Sequence, residues 1–373
     1  VEAVDHLRRL VALDTVSSRP VVALSDYMCE HVEALGFQVE RRETGEPGKH
    51  NLIATFGPPR DGGLVLSGHM DVVPVDGQPW TSDPFRLTER DGRLVGRGTA
   101  DMKGFLAATL TALERVDRAR LQRELVLVWT CDEELGCLGS ATLVDQLLAE
   151  GRPLPRRCVI GEPTDFRPLR MHPGHVVSEL VFHGAAAHSS RPDLGVNAIE
   201  AAADAIVAIR ELARRLEHER KFEDLLSRPW VTVNTGTIEG GSAVNIVPDR
   251  CVVRVGFRPL PGSDPEDLHE RIAHAAAATG ARFDARIVRV TPAMLTDAGS
   301  ETWRLVAPHA DHAHEGAATF ATDGGNLAKL GLEPIVFGPG SIEVAHQADE
   351  WLARADLERT VDVVADVVTR ACG

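Results

Sequence analysis

The chain has no apolar run approaching the roughly 20 residues needed to cross a bilayer. It also has no Cys-x-x-Cys pair and no surplus of positive charge. The first absence excludes a membrane-spanning helix. The second removes the common thiolate-zinc and dithiol redox motifs. The third, a formal net charge of −15 at pH 7, argues against a nucleic-acid backbone or an anionic membrane surface as partner, because both select basic patches. A small substrate stays open, since one local Arg outweighs a distant acidic surface. No internal repeat is visible, and no low-complexity tract beyond Ala-rich helical stretches. The opening residues Val1-Glu2-Ala3-Val4-Asp5-His6 read as an amphipathic helix and lack the basic-then-apolar plan of a signal peptide. Six dispersed cysteines (Cys29, Cys131, Cys137, Cys158, Cys251, Cys372) fit a reducing compartment, so a cytoplasmic location is expected. Cys131, Cys158 and Cys251 lie in or beside apolar runs, where Cys packs as a small hydrophobe.

What is present is globular. The 373 residues, 43% hydrophobic and 25% charged, are too many for one ordinary core and suit two domains. In the first half, short apolar runs alternate with helical periodicity. Leu64-Val65-Leu66-Ser67, Leu125 to Thr130 and Cys158-Val159-Ile160-Gly161 read as buried strands, and Gly104 to Val116 as a helix. Strands separated by helices imply a mixed, mostly parallel sheet flanked by helices, an α/β fold. The pattern changes near residue 168. Val176 to His183, Val231 to Ile238 and Asn245 to Arg258 read as strands, with helices over Asn197 to Leu216 and Pro265 to Ala278. That order forms an α+β unit of about 110 residues with its own core. After it, Pro334-Ile335-Val336-Phe337 returns to the buried-strand type. The expected organisation is a discontinuous domain over residues 1–167 and 279–373, with an inserted lid or dimerisation domain over 168–278.

Five residues of metal-ligating type stand in five separate motifs. They are His69 in Ser-Gly-His-Met-Asp, Asp101 in Ala-Asp-Met-Lys-Gly, Glu134 in Asp-Glu-Glu-Leu-Gly, Glu162 in Gly-Glu-Pro-Thr, and His346 in Glu-Val-Ala-His-Gln. Most follow a strand-like run, and in an α/β sheet the carboxyl ends of the strands share one edge. Two His and three carboxylates converging there are the donor set of a pair of zinc-like ions. Each motif alone has a plainer reading: a strand-end turn at His69, a helix N-cap at Asp101, a solvated acidic loop at Asp132-Glu133-Glu134. Asp71 is placed to hold the second ring nitrogen of His69. A carboxylate such as Asp101 can bridge two cations. Glu133, beside Glu134, is the candidate general base. The tract His309-Ala310-Asp311-His312-Ala313-His314 also looks metal-like, but it follows no strand and reads as a surface feature.

Taken together, the motifs resemble the two-zinc aminoacylase and glutamate carboxypeptidase family of amidohydrolases over nearly the whole chain. The stretches Gly161-Glu162-Pro163-Thr164 to His175, Ala187-His188-Ser189-Ser190, and Gly338-Pro339-Gly340-Ser341-Ile342 through His346 to Glu350 are similar to the branch acting on N2-acetyl-L-ornithine. The resemblance implies two divalent ions, zinc or else cobalt. His69, Asp101 and Glu162 would hold one, and Asp101, Glu134 and His346 the other, with Asp101 bridging. It further implies Glu133 as general base, Asp71 orienting His69, and His188 stabilising an oxyanion from a partner subunit's insert in a homodimer. Arg258 and Asn245 would contact the substrate carboxylate, with Gly324 a further substrate contact. Without the resemblance, Arg258 and Asn245 are a strand-edge arginine and a turn amide. The implied substrate is a small N-acyl-L-amino acid, and with acetylornithine the step would lie in arginine biosynthesis. A desuccinylase of succinyl-diaminopimelate, an N-acetylcitrulline deacetylase, a dipeptidase and a non-catalytic metal binder are the alternatives. Two departures stand out: Pro173 replaces a Lys usual in that branch, and Asp323, in an expected substrate-contacting loop, replaces a frequent Glu.

Overall fold

The structure, a computed structural model, describes residues 1–59, 61–311 and 316–373. The chain divides into two compact units. The first comprises Val1–Met171, Met294–Gly316 and Thr322–Gly373, and the second His172–Ala293 and Ala317–Ala321.

The first unit is built on a mixed sheet. Four parallel strands form its centre, in the order Leu125–Thr130, Leu64–His69, Arg157–Ile160, Glu333–Val336. Antiparallel neighbours extend it on both sides: His50–Phe56 and Gln38–Glu43 beyond Leu125–Thr130, and Leu169–His172 beyond Glu333–Val336. The central strands are apolar throughout because both faces are covered. Leu64, Leu66, Leu125, Leu127 and Trp129 pack with Leu106, Leu110, Val364 and Val368 of the helices Lys103–Arg115 and Arg354–Cys372. The alternate residues Val65, Val126, Val128 and Ile160 face Leu143, Val144 and Leu147 of helix Leu138–Glu150. Each fully buried Leu or Val of this kind contributes about 1.5–3 kcal/mol. All six cysteines are buried and free.

Two contacts bring helix Lys103–Arg115 close against the strand ends. A Cβ at Gly161 would lie 2.0 Å from the ring of Phe105, and one at Gly68 would lie 2.7 Å from Met102 Cε. At Gly161 the Phe105 ring leaves no room for a side chain, whereas at Gly68 the ends of Met102 and Leu106 would have to move aside. Lys103 is fully buried, and its ammonium donates to the carbonyls of Leu10 (3.0 Å) and Leu13 (2.8 Å) at the end of helix Ala3–Ala12. Burial pushes its pKa down to about 7. The side chain thereby ties the turn carrying Asp101 to the N-terminal helix.

The second unit is a four-stranded antiparallel sheet, in the order Thr232–Gly240, Arg250–Arg258, His175–His183, Phe283–Thr291. Helices Ala198–Leu216 and Pro265–Ala277 pack with it. Both carry side-chain caps: Asn197 Oδ1 accepts from Ile199 N (3.0 Å), and Asp264 Oδ1 from Glu266 N (2.9 Å) ahead of Pro265. The continuous stretch of this unit runs to Ala293, past the expected 278, because Phe283–Thr291 is its fourth strand, and Ala317–Ala321 joins it as a second segment. A register shift between Ile287 and Arg289 interrupts the apolar alternation that would have marked this strand. Asn245 lies outside the strand in which it was expected, since pairing begins at Arg250, beyond Pro248. Among the described residues no helix is long and apolar enough to cross a membrane.

Candidate active site

The strand ends deliver the ligand-type residues as their motifs imply. Strand Leu64–His69 ends on His69 itself; Leu125–Thr130 leads into Asp132-Glu133-Glu134, and Arg157–Ile160 into Glu162. His346 comes from the loop after Glu333–Val336. The side chains form two clusters, His69–Asp101–Glu162 and Asp101–Glu134–His346, in each of which three donor atoms lie within 4.8 Å of one another. Asp101 belongs to both. Its Oδ1 is 2.9 Å from His69 Nε2, and its Oδ2 is 3.2 Å from His346 Nε2. Glu162 Oε1 lies 3.7 Å from His69 Nε2, and Glu134 Oε2 3.1 Å from His346 Nε2.

The electrostatics are those of a cation site. Burial disfavours charge on His69, yet Glu162 and Asp101 outweigh it and hold the imidazole well above its ordinary range. Hydrogen bonds to Asp101 and Glu134 push His346 up to about 10. Burial raises Glu162, reinforced by Asp101, and raises Glu134 in the same way. Against its own burial, Asp101 is held well below the usual carboxylate range by hydrogen bonds with His346 and His69. In the metal-free chain the two imidazolium groups thus supply positive charge among three buried carboxylates. Each cluster offers one imidazole nitrogen and carboxylate oxygens without a thiolate, a donor set that suits zinc or cobalt.

The surrounding contacts hold this geometry. His69 Nδ1 is bonded to the main-chain carbonyl of Asp71 (2.9 Å), while the Asp71 carboxylate stands 3.7 Å away. The orienting group is therefore the carbonyl of Asp71, not the carboxylate expected from sequence. The carboxylate accepts instead from Ser17 Oγ (2.7 Å), Glu133 N (3.1 Å) and Glu134 N (3.3 Å). One buried acid thus fixes the backbone of both the candidate base and its neighbouring ligand. Asp132, the third acid of that motif, pairs with Lys49 Nζ at 2.7 Å, and Lys49 also donates to Ser17 O. Glu350 clamps the Asp101 turn, accepting from the amides of Gly98 (3.1 Å), Ala100 (2.9 Å) and Asp101 (3.0 Å) and from Arg97 Nη1 (2.6 Å). Asp132 (φ 54°) and His346 (φ 63°) both occupy the left-handed region, where non-glycine residues gather at functional sites.

Glu133 sits against Cys137 and Asp323, their donor atoms within 4.8 Å. Its carboxyl is held well above the ordinary range, chiefly by burial. Asp323 is itself buried, accepting from Thr130 Oγ1 at 2.6 Å. Its side chain thus lies beneath the acidic loop, beside Glu133. Gly324 is also buried; its amide donates to Thr322 Oγ1 (3.0 Å), and a Cβ there would lie 2.4 Å from Met294 Sδ. Its glycine is explained by packing. His309 pairs with Asp366 (2.8 Å) and Asp311 with Arg359 (2.8 Å), so the first part of that tract is tied to the last helix; His312, Ala313 and His314 lie outside the described residues.

The remaining expected residues lie in the second unit. His188 is exposed and accepts at Nδ1 from Ser190 N (3.1 Å); its segment bridges that of Ile246, with Ser189 N donating to Asn245 O (3.0 Å). Arg258 lines a cavity of about 80 Å³ with Pro173, Trp230, Thr232 and Thr319. Burial lowers its pKa, and it has no carboxylate partner among the described residues.

A sheet edge that gathers two carboxylate–histidine clusters around a shared aspartate, with Glu133 beside them, is the arrangement of a metal-dependent hydrolase. The profile of "Peptidase family M20/M25/M40" matches residues 65–370, and the chain belongs to that family. It is 38% identical over 377 residues, 98% of this chain and 97% of the other, to a protein of Myxococcus xanthus named acetylornithine deacetylase. Among solved structures it is similar to a tripeptidase from Staphylococcus aureus (TM-score 0.78, 22% identity, covering 100% and 98% of the two chains). It is also similar to a Bacillus subtilis protein described as a dinuclear metal binding peptidase from the M20 family (TM-score 0.70, 15% identity, covering 99% and 97%).

Proposed function

We propose that this chain hydrolyses the amide bond of an α-N-acyl-L-amino acid, with N2-acetyl-L-ornithine as substrate and acetate and ornithine as products. The observation that carries the chemistry is Asp101, which turns one carboxylate oxygen to each cluster with Glu133 alongside. The full-length likeness to the Myxococcus protein supports the substrate. Two divalent ions held by His69, Asp101 and Glu162 and by Asp101, Glu134 and His346 would polarise the acyl carbonyl and acidify a water. Glu133 accepts the proton of the attacking water and returns it to the leaving amine. The Asp71 carboxylate keeps Glu133 and Glu134 in register through their amides.

In this reading Arg258 pairs with the substrate α-carboxylate, which supplies the anion that this half-buried guanidinium lacks. Asn245 donates to the same carboxylate. His188 donates to the oxyanion of the tetrahedral intermediate. His188 acts in the site of a second copy, and the functional unit is a homodimer. Large apolar side chains left exposed near it, Leu194, Val196, Val244 and Ile246, support such an association.

The test is release of free amine from N2-acetyl-L-ornithine by zinc- or cobalt-loaded protein, with a chelated control. N-succinyl-diaminopimelate, N-acetylcitrulline, N-acetylmethionine and a dipeptide run alongside. Metal-dependent turnover strongest on acetylornithine is expected. Preference for another compound would move the substrate and keep the chemistry; two bound metals with no turnover on any would overturn the hydrolase reading.

A further inference from the structure

Cys137 occupies a position where a side chain is costly. Its φ is 59°, in the left-handed region, at the start of helix Leu138–Glu150. Glycine adopts that conformation without penalty. The side chain present is almost fully buried, and Sγ lies 3.3 Å from Glu133 Oε1. The Cys137 amide donates to the Glu133 carbonyl at 2.7 Å, and the Gly136 amide to the same oxygen at 2.8 Å. Together with Asp71 at the Glu133 amide (3.1 Å), these contacts fix the candidate base at its nitrogen, its carbonyl and one carboxylate oxygen. Burial, then the neighbouring Glu133 and Asp323, push the thiol well above its ordinary range, so it stays protonated and acts as a donor rather than a nucleophile.

We propose that Cys137 is a positioning residue for Glu133. Its S–H donates to Oε1, which restrains rotation of the carboxylate and leaves Oε2 free to accept the proton of the attacking water. Asp323 completes the cluster: a carboxylate oxygen of Asp323, Cys137 Sγ and a carboxylate oxygen of Glu133 lie within 4.8 Å of one another. The inference rests on the reading of Glu133 as the base; the contact itself does not.

The experiment compares Cys137→Ala and Cys137→Ser in the metal-loaded full chain, with metal content and melting temperature measured for each. The expected result for Cys137→Ala is a kcat about ten-fold lower with KM changed less than about two-fold. Cys137→Ser, which keeps a donor, recovers most of kcat. The infrared S–H stretching band that disappears in Cys137→Ala should shift in Glu133→Gln, where an uncharged amide oxygen replaces the carboxylate. The proposal is overturned by a Cys137→Ala enzyme with wild-type kcat, by equal losses in the Ala and Ser variants, or by a band that does not move in Glu133→Gln. The infrared arm needs no turnover. A shifted band in a wild type inactive on every acyl amino acid would retain the contact and reject the hydrolase reading.

Discussion

Loading the site with metal should expel protons, and the number follows from the structure. His346 is pushed up to about 10 by Asp101 and Glu134, so at pH 7.5 it is about 99% protonated in the metal-free chain. His69 is likewise held well above the ordinary imidazole range. Each must become neutral before its Nε2 can ligate. Two ions entering the two clusters therefore release about two protons at pH 7.5, and more where Glu162, raised by burial, also carries one. The assay is calorimetric titration of zinc or cobalt into chelator-stripped protein, at one pH, in two buffers of different ionisation heat. The difference in apparent enthalpy gives the proton count. The overall two-metal affinity should rise about a hundredfold per pH unit in this range, one decade for each proton. Release of less than about half a proton would refute the assigned charge states of the two imidazoles. In the metal-free chain the sign for folding is opposite. The folded pKa of His346 exceeds the unfolded value, so its contribution to stability is full below about pH 6.5 and is lost as pH rises through about 10.

Three further outcomes are expected. Glu133→Gln should lower kcat by about 100-fold or more while two metals per chain remain bound, as measured by elemental analysis and steady-state kinetics. Arg97→Met should destabilise the first unit by about 3–5 kcal/mol in urea titration, because it strands the buried Glu350 carboxylate, now 2.6 Å from the guanidinium. Arg258→Met should raise KM for an acyl amino acid at least about tenfold and have little effect on a substrate whose carboxylate is amidated.

Much of the site was legible because its residues stand at the ends of apolar runs. His69 ends, and Glu134 and Glu162 follow, strands whose burial on both faces is written as short, mostly apolar runs, and α/β geometry then places them together. What was not legible depends on partners remote in sequence. Glu350 lies 249 residues from the amide of Asp101 that it holds, and Lys49 lies 83 residues from Asp132. No local pattern announces either pair. At Asp71 the residue was identifiable but the atom was not, since its carbonyl and carboxylate compete for the same imidazole. The partner of Asp323 was equally hidden, since Thr130, 193 residues away, donates to it. Strand Phe283–Thr291 was hidden by its own bulge.

The strand Glu333–Val336 lies between Arg157–Ile160 and Leu169–His172. In chain order this strand comes after Asp101, Glu134 and Glu162, and His346 comes later still. Until then Asp101 and Glu134 lack the imidazole that completes their cluster. In the proposed two-metal reading, the second cluster is complete only once this last central strand has joined the sheet, which ties its metal selection to the finished fold.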